Sequence, residues 1–181
     1  MRTILGKLEN EAGAEIAEAA MVLPIVFMFL LGIVWFGRAF NIYSTITQAA
    51  QQGAITASRP GCATCTLGNA FPSDATVDGV ISAVMQSSNL NPAQIQASPK
   101  PSLVACVSPP APPGGGCPST ATANIWICRN VQLNPPAVPT QPQQCGSVVS
   151  FQYPFTSSLP FTSLNQQTIV LKAQAQSRTE N

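Results

Sequence analysis

Histidine is absent from this 181-residue chain, and only 8% of its residues are charged. The first absence removes the commonest general base at neutral pH and the commonest metal ligand. With a net charge of +1 the sequence has no basic face for nucleic acid. Its length allows one modest domain beside one membrane helix. These shortages point away from an enzyme and away from any cofactor or metal site.

What is abundant is unevenly placed. From Ala19 to Phe36 the chain reads AAMVLPIVFMFLLGIVWF, 18 residues without a charge. As a helix this run spans about 27 Å, close to the hydrocarbon thickness of a bilayer. It shows no polar stripe, which a soluble core helix of that length would carry. A cleavable secretory signal fits poorly, because Glu9, Glu11, Glu15 and Glu18 crowd its N-terminal flank and Trp35 and Phe36 close it. Helical spacing continues through Ile42, Ile46, Ala49, Ala50, Gly53 and Ala57, and Arg59-Pro60-Gly61 supplies a stop. The expectation is a long helix over 14–58, with 19–37 in lipid and a kink at Pro24. Its small-residue stripe suits either the protein's own sheet or another subunit.

Beyond that helix, 59–181 reads as an exported globular domain. Ser73 to Ser87 has the apolar spacing of a short helix, with Val77, Val80, Ile81, Val84 and Met85 on one face and Ser73 as its N-cap. Strands are expected at Leu103–Val107, Ile125–Val131, Val148–Tyr153 and Ile169–Gln176. In the last of these, Ile169, Leu171, Ala173 and Ala175 form the inward face. Ser108–Thr120 and Asn134–Gln144 are proline-dense and belong outside the sheet.

All six cysteines, Cys62, Cys65, Cys106, Cys117, Cys128 and Cys145, follow the apolar run. An even count on one side of a membrane segment implies disulfides and an oxidising compartment. Fifteen connectivities are open to six cysteines, and the sequence does not choose among them. Cys62-Ala63-Thr64-Cys65 has the spacing of a thiol redox site, but it follows a helix stop, where a thioredoxin-like site would follow a strand. A structural disulfide suits it better.

Glu18 stands at the lip of the apolar run, where an unpaired carboxylate is costly. Five residues upstream lies Gly13, in Gly13-Ala14-Glu15-Ile16-Ala17-Glu18. This spacing resembles that of type IV prepilins and pseudopilins, which a prepilin peptidase cuts after a glycine to leave glutamate fifth. The wider stretch resembles the TadE-like family of tight-adherence pilus assembly in Glu18, Val22-Leu23-Pro24, Gly32, Gly37-Arg38, Ala49-Ala50 and Gly53-Ala54. A second likeness lies in Val148 to Phe155 and in Ser177-Arg178-Thr179-Glu180. Ala19 departs from the aromatic residue that many members carry there, and the leader is more acidic than usual.

The resemblance implies an α+β, pilin-like fold: a long transmembrane helix packed on a small antiparallel sheet, with one short extra helix and disulfide-stapled loops. It implies a leader over residues 1–13, processing between Gly13 and Ala14, and pairing of Glu18 with the new amine of a neighbouring subunit. The implied partners are the inner membrane, pilin or pseudopilin subunits, the secretion platform and a prepilin peptidase. The N-terminus would be cytoplasmic and the C-terminal domain periplasmic or extracellular. An independent membrane-anchored adhesion module is the alternative the residues leave open.

Overall fold

A computed structural model describes residues 2–59, 71–106, 116–134, 143–156 and 168–179, with side chains for all of these except 2–12 and 14. The elements are α1 (Arg2–Ser58), α2 (Asp74–Ser87), a 3₁₀ turn (Pro92–Gln94), β1 (Trp126–Gln132), β2 (Cys145–Thr156) and β3 (Thr168–Arg178). The chain divides into two compact units, Met1–Phe40 and Asn41–Asn181. The first consists of the N-terminal part of α1. The second, called the head below, holds the last turns of α1 and everything after them.

α1 begins earlier than the expected residue 14, since Leu5, Lys7, Leu8 and Glu11 are good helix formers. Pro24 lies inside it and the helix continues on both sides. It ends at Ser58, before the expected Arg59-Pro60 stop.

In the head the sheet order is β1-β2-β3, antiparallel throughout. One sheet face presents Ile127, Val149, Phe151, Tyr153, Ala173 and Ala175 to the core. From α1, Ile46, Ala49, Ala50, Ala54 and Ala57 pack against this face, and from α2, Val77, Ile81 and Met85. The small-residue stripe is therefore core: Ala49, Ala50 and Ala57 are fully buried, as is Ala54 beside them. Gly53 shows why small residues are required, since a Cβ there would lie 2.7 Å from Ile81 Cδ1. The end of α1 is tied to the sheet by hydroxyls, which serve groups the last helical turn leaves unpaired. Ser147 Oγ donates to the Ala57 carbonyl at 3.1 Å, and Ser58 Oγ donates to Ser177 Oγ at 2.9 Å.

α2 matches its expected span. Ser73 caps it by accepting from the Thr76 amide at 3.2 Å, and Val77, Ile81 and Met85 are its buried residues.

Two strand expectations change. Residues 103–106, the described part of the expected Leu103–Val107 strand, form no strand: Ala105 makes a single bridge to Val131, and the Leu103 amide turns back to the Pro101 carbonyl. Proline at 99 and 101 removes two amide donors just before this segment, so no ladder extends in that direction. β2 also runs past the expected Tyr153, through Pro154 to Thr156. Proline is tolerated in this middle strand because β1 leaves its side at Ser150, with only Gln96 bridging Gln152 beyond. In β3 the expected alternation holds for Ala173 and Ala175. It fades towards Ile169, which is 51% exposed and pairs with Phe155 near the end of the ladder.

Two disulfides are described, Cys106–Cys145 and Cys117–Cys128, separated by 39 and 11 residues. In the chain-entropy account these closures contribute about 4 and about 3 kcal/mol. Cys62 and Cys65 lie outside the described residues.

Thr122 and Ile125 exchange hydrogen bonds across a two-residue turn in which Ala123 has φ 48° and Asn124 φ 65°. That turn suits Asn or Gly at both central positions, and Ala123 carries a Cβ penalty there. Ala123→Gly is expected to stabilise the head by about 0.5–1 kcal/mol in denaturant titration. A loss of stability would mean that Ala123 is held by contacts rather than strained.

Candidate functional site

In the first unit the apolar run of α1 is bare. Its 18-residue window has a mean hydropathy of 2.5 and none of it is buried within the chain. Met21, Phe27, Met28, Phe29, Ile33 and Val34 are all more than half exposed. A helix that is apolar all round and covered by nothing of its own is long and apolar enough to cross a membrane. At its far end the Arg38 guanidinium lies 6.0 Å from the Trp35 ring centroid, an aromatic and a cation where an interface would fall.

Gly13, Glu15 and Glu18 are exposed on this helix, and Ala14 lies in its backbone. Among the described residues Glu18 has no ion-pair partner. The five-residue spacing from Gly13 to Glu18 thus sits on one exposed helical stretch. Pro24 stands six residues beyond Glu18, within the apolar run.

Among the described residues no three His, Cys, Asp or Glu side chains gather as a metal site would require. A shallow cleft of about 310 Å³ lies between α2, the 3₁₀ turn and the Ala123-Asn124 turn. Its polar lining is Asp78, Ser82 and Asn124, a lone carboxylate with a hydroxyl and an amide.

The polar centre that sequence reading missed is structural. Arg129 in β1 forms an ion pair with Asp74 at the start of α2, and its Nη2 donates to the Pro72 carbonyl at 2.8 Å. Thr122 Oγ1 donates to the other Asp74 oxygen at 3.1 Å. The signal available was a lone arginine in an apolar strand, which needs a carboxylate partner once buried. Trp126 is similarly fixed: its indole N–H donates to the Ser98 carbonyl at 2.6 Å, and Lys100 stands 5.8 Å from its ring centroid.

No curated protein and no solved structure matches the chain. The described C-terminal positions of the TadE resemblance are well anchored. Thr179 bonds the Cys145 carbonyl through both its amide and its hydroxyl, at 3.1 and 2.9 Å. They lie, however, outside the family match. That match covers the apolar run, Gly13, Glu18, Pro24 and the buried Ala49-Ala50 and Gly53-Ala54 together: residues 13–54 fit the family model of the TadE-like protein.

Proposed function

We propose that the protein is a non-enzymatic, pseudopilin-like component of tight-adherence pilus biogenesis or a related secretion apparatus. The observation that carries this reading is the coincidence of the TadE-like match with a fully exposed apolar helix. α1 anchors the chain in the inner membrane with its N-terminus in the cytoplasm, and the head lies in the periplasm. The described disulfides support that side, since oxidising compartments preserve them. Processing by a prepilin peptidase between Gly13 and Ala14 then frees an amine, and Glu18 pairs with the amine of a neighbouring subunit.

One co-isolation experiment tests the role. Solubilised from its native membrane, the chain should be recovered with pilin-type subunits or a secretion platform, and its intact mass should begin at Ala14. Recovery alone would favour an independent adhesion module. A mass beginning at Met1 would remove the processing step while leaving the anchor in place.

A further inference from the structure

The head has a second, smaller apolar cluster on the other face of the sheet. Cys128, Val131 and Val148 form it, with Leu103, Cys117 and Leu133 packed against them. No cysteine belongs to the main core. Cys117–Cys128 belongs to this outer cluster, and Cys106–Cys145 lies in neither cluster.

The placement of the half-cystines is specific. β1 would present a bare outer edge, and two short segments cover it. Residues 103–106 lie along one part, where the Cys106 amide donates to the Asn130 carbonyl and the Gln132 amide to the Val104 carbonyl, both at 2.8 Å. Gly116 covers the other, exchanging hydrogen bonds with Arg129 at 2.6 and 3.1 Å. Each cover is an isolated bridge rather than a strand, at Ala105 and at Gly116. Each bridge has a disulfide cysteine as its immediate neighbour, Cys106 in one case and Cys117 in the other. An isolated bridge gains little from cooperative pairing, so its persistence depends on what tethers it.

We propose that the two disulfides are redox-sensitive clasps holding segment 103–106 and Gly116-Cys117 as removable covers on the outer edge and outer face of β1. Opening them bares the outward amides and carbonyls of β1 and the apolar side chains of Val131 and Val148. β1 itself stays in place: it is paired with β2 from Trp126 to Gln132, and Arg129 is held by Asp74 at the start of α2. The main core loses nothing.

The chemistry is thiol–disulfide exchange with a dithiol reductant. Cys117 and Cys145 are the more exposed members of the two pairs, while Cys128 and Cys106 are buried. The reductant's thiolate attacks Sγ of Cys117 or Cys145, and the disulfide bond breaks with its electron pair on Cys128 or Cys106, which takes up a proton. The reductant's second thiolate then displaces the attacked cysteine as a thiol and closes the reductant's own disulfide. Two electrons pass to each protein cystine.

Amide hydrogen exchange on the full chain in detergent, with and without a dithiol, tests the clasps. After reduction the amides of Cys106, Gly116, Arg129 and Gln132 should exchange at least about tenfold faster, while the amides of the β2–β3 ladder keep their protection. The paired substitutions Cys117→Ser with Cys128→Ser should release only Gly116 and Arg129. Cys106→Ser with Cys145→Ser should release only position 106 and Gln132. Unchanged protection in the reduced chain would overturn the proposal, because the covers would then stand without their clasps. Equal loss of protection across the β2–β3 ladder, or failure of either paired variant to fold, would also overturn it, by making the disulfides supports of the whole head.

Discussion

Gly53→Leu is expected to destabilise the head by about 3 kcal/mol, lowering its Tm by roughly 10 °C. The reason lies in the approach of α1 to α2. A Cβ at position 53 would already stand 2.7 Å from Cδ1 and 2.8 Å from Cγ1 of Ile81, a fully buried side chain. Leucine adds three further carbons in the same direction, and a core packed at crystal density has no room to receive them. The gain in helix propensity on replacing glycine, about 1 kcal/mol, offsets only part of this. Gly53→Ala adds only that Cβ, which Ile81 must shift to admit, and should cost less than Gly53→Leu. A second substitution identifies the cause: Ile81→Ala alone should cost about 2–5 kcal/mol by leaving a cavity. Combined with Gly53→Leu it should cost less than the sum by more than about 1 kcal/mol, since the new side chain fills the space vacated. Thermal or denaturant unfolding of the four proteins measures the cycle. Strictly additive losses would show that Gly53 is constrained by something other than Ile81.

That pair also shows where sequence reading stopped. The spacing of Ala49, Ala50, Gly53 and Ala57 gave a narrow helix face, but spacing cannot say what approaches it. The structure answers with the chain's own sheet and α2. The bare apolar run was fully legible, because 18 uncharged residues leave a helix no polar side to turn outward. α2 was legible from its cap and its periodicity together. The strands were found where apolar and β-branched residues cluster, and misjudged where proline intervened. Pro154 sits in a middle strand only because β1 stops short, a fact of register that no local pattern contains. Leu103–Val107 has strand composition, yet its described residues make one bridge, at Ala105. Arg129 and Asp74 stand 55 residues apart and meet only through the fold. Disulfide connectivity was unreadable for the same reason, since partners are selected by proximity in space. Gly13 and Glu18 differ from all of these: the roles proposed for them rest on a spacing within one helix, which the sequence displays without the fold.

Glu18→Ala is expected to abolish recovery of the protein in assemblies while leaving the head folded. Glu18 is exposed on the first unit, and among the described residues no cation pairs with it at the edge of lipid. In the proposed assembly its partner is the amine created at Ala14 of a neighbouring subunit. Two charges that are costly singly in an apolar setting become tolerable as a hydrogen-bonded pair, and removing one strands the other. A penalty of about 3 kcal/mol per contact weakens association roughly a hundredfold, enough to empty an assembly at constant expression. Glu18→Gln should fail nearly as fully, because an amide hydrogen-bonds an ammonium without neutralising it. Glu15→Ala is the control: it removes a carboxylate one helical turn away, off the prepilin spacing, and should assemble normally. Quantitative recovery of each variant with its pilin-type partners reads the effect, and near-ultraviolet circular dichroism checks the head. If Glu18→Ala and Glu15→Ala assemble equally well, the charge-pairing role is wrong, and the TadE-like helix acts through its apolar surface alone.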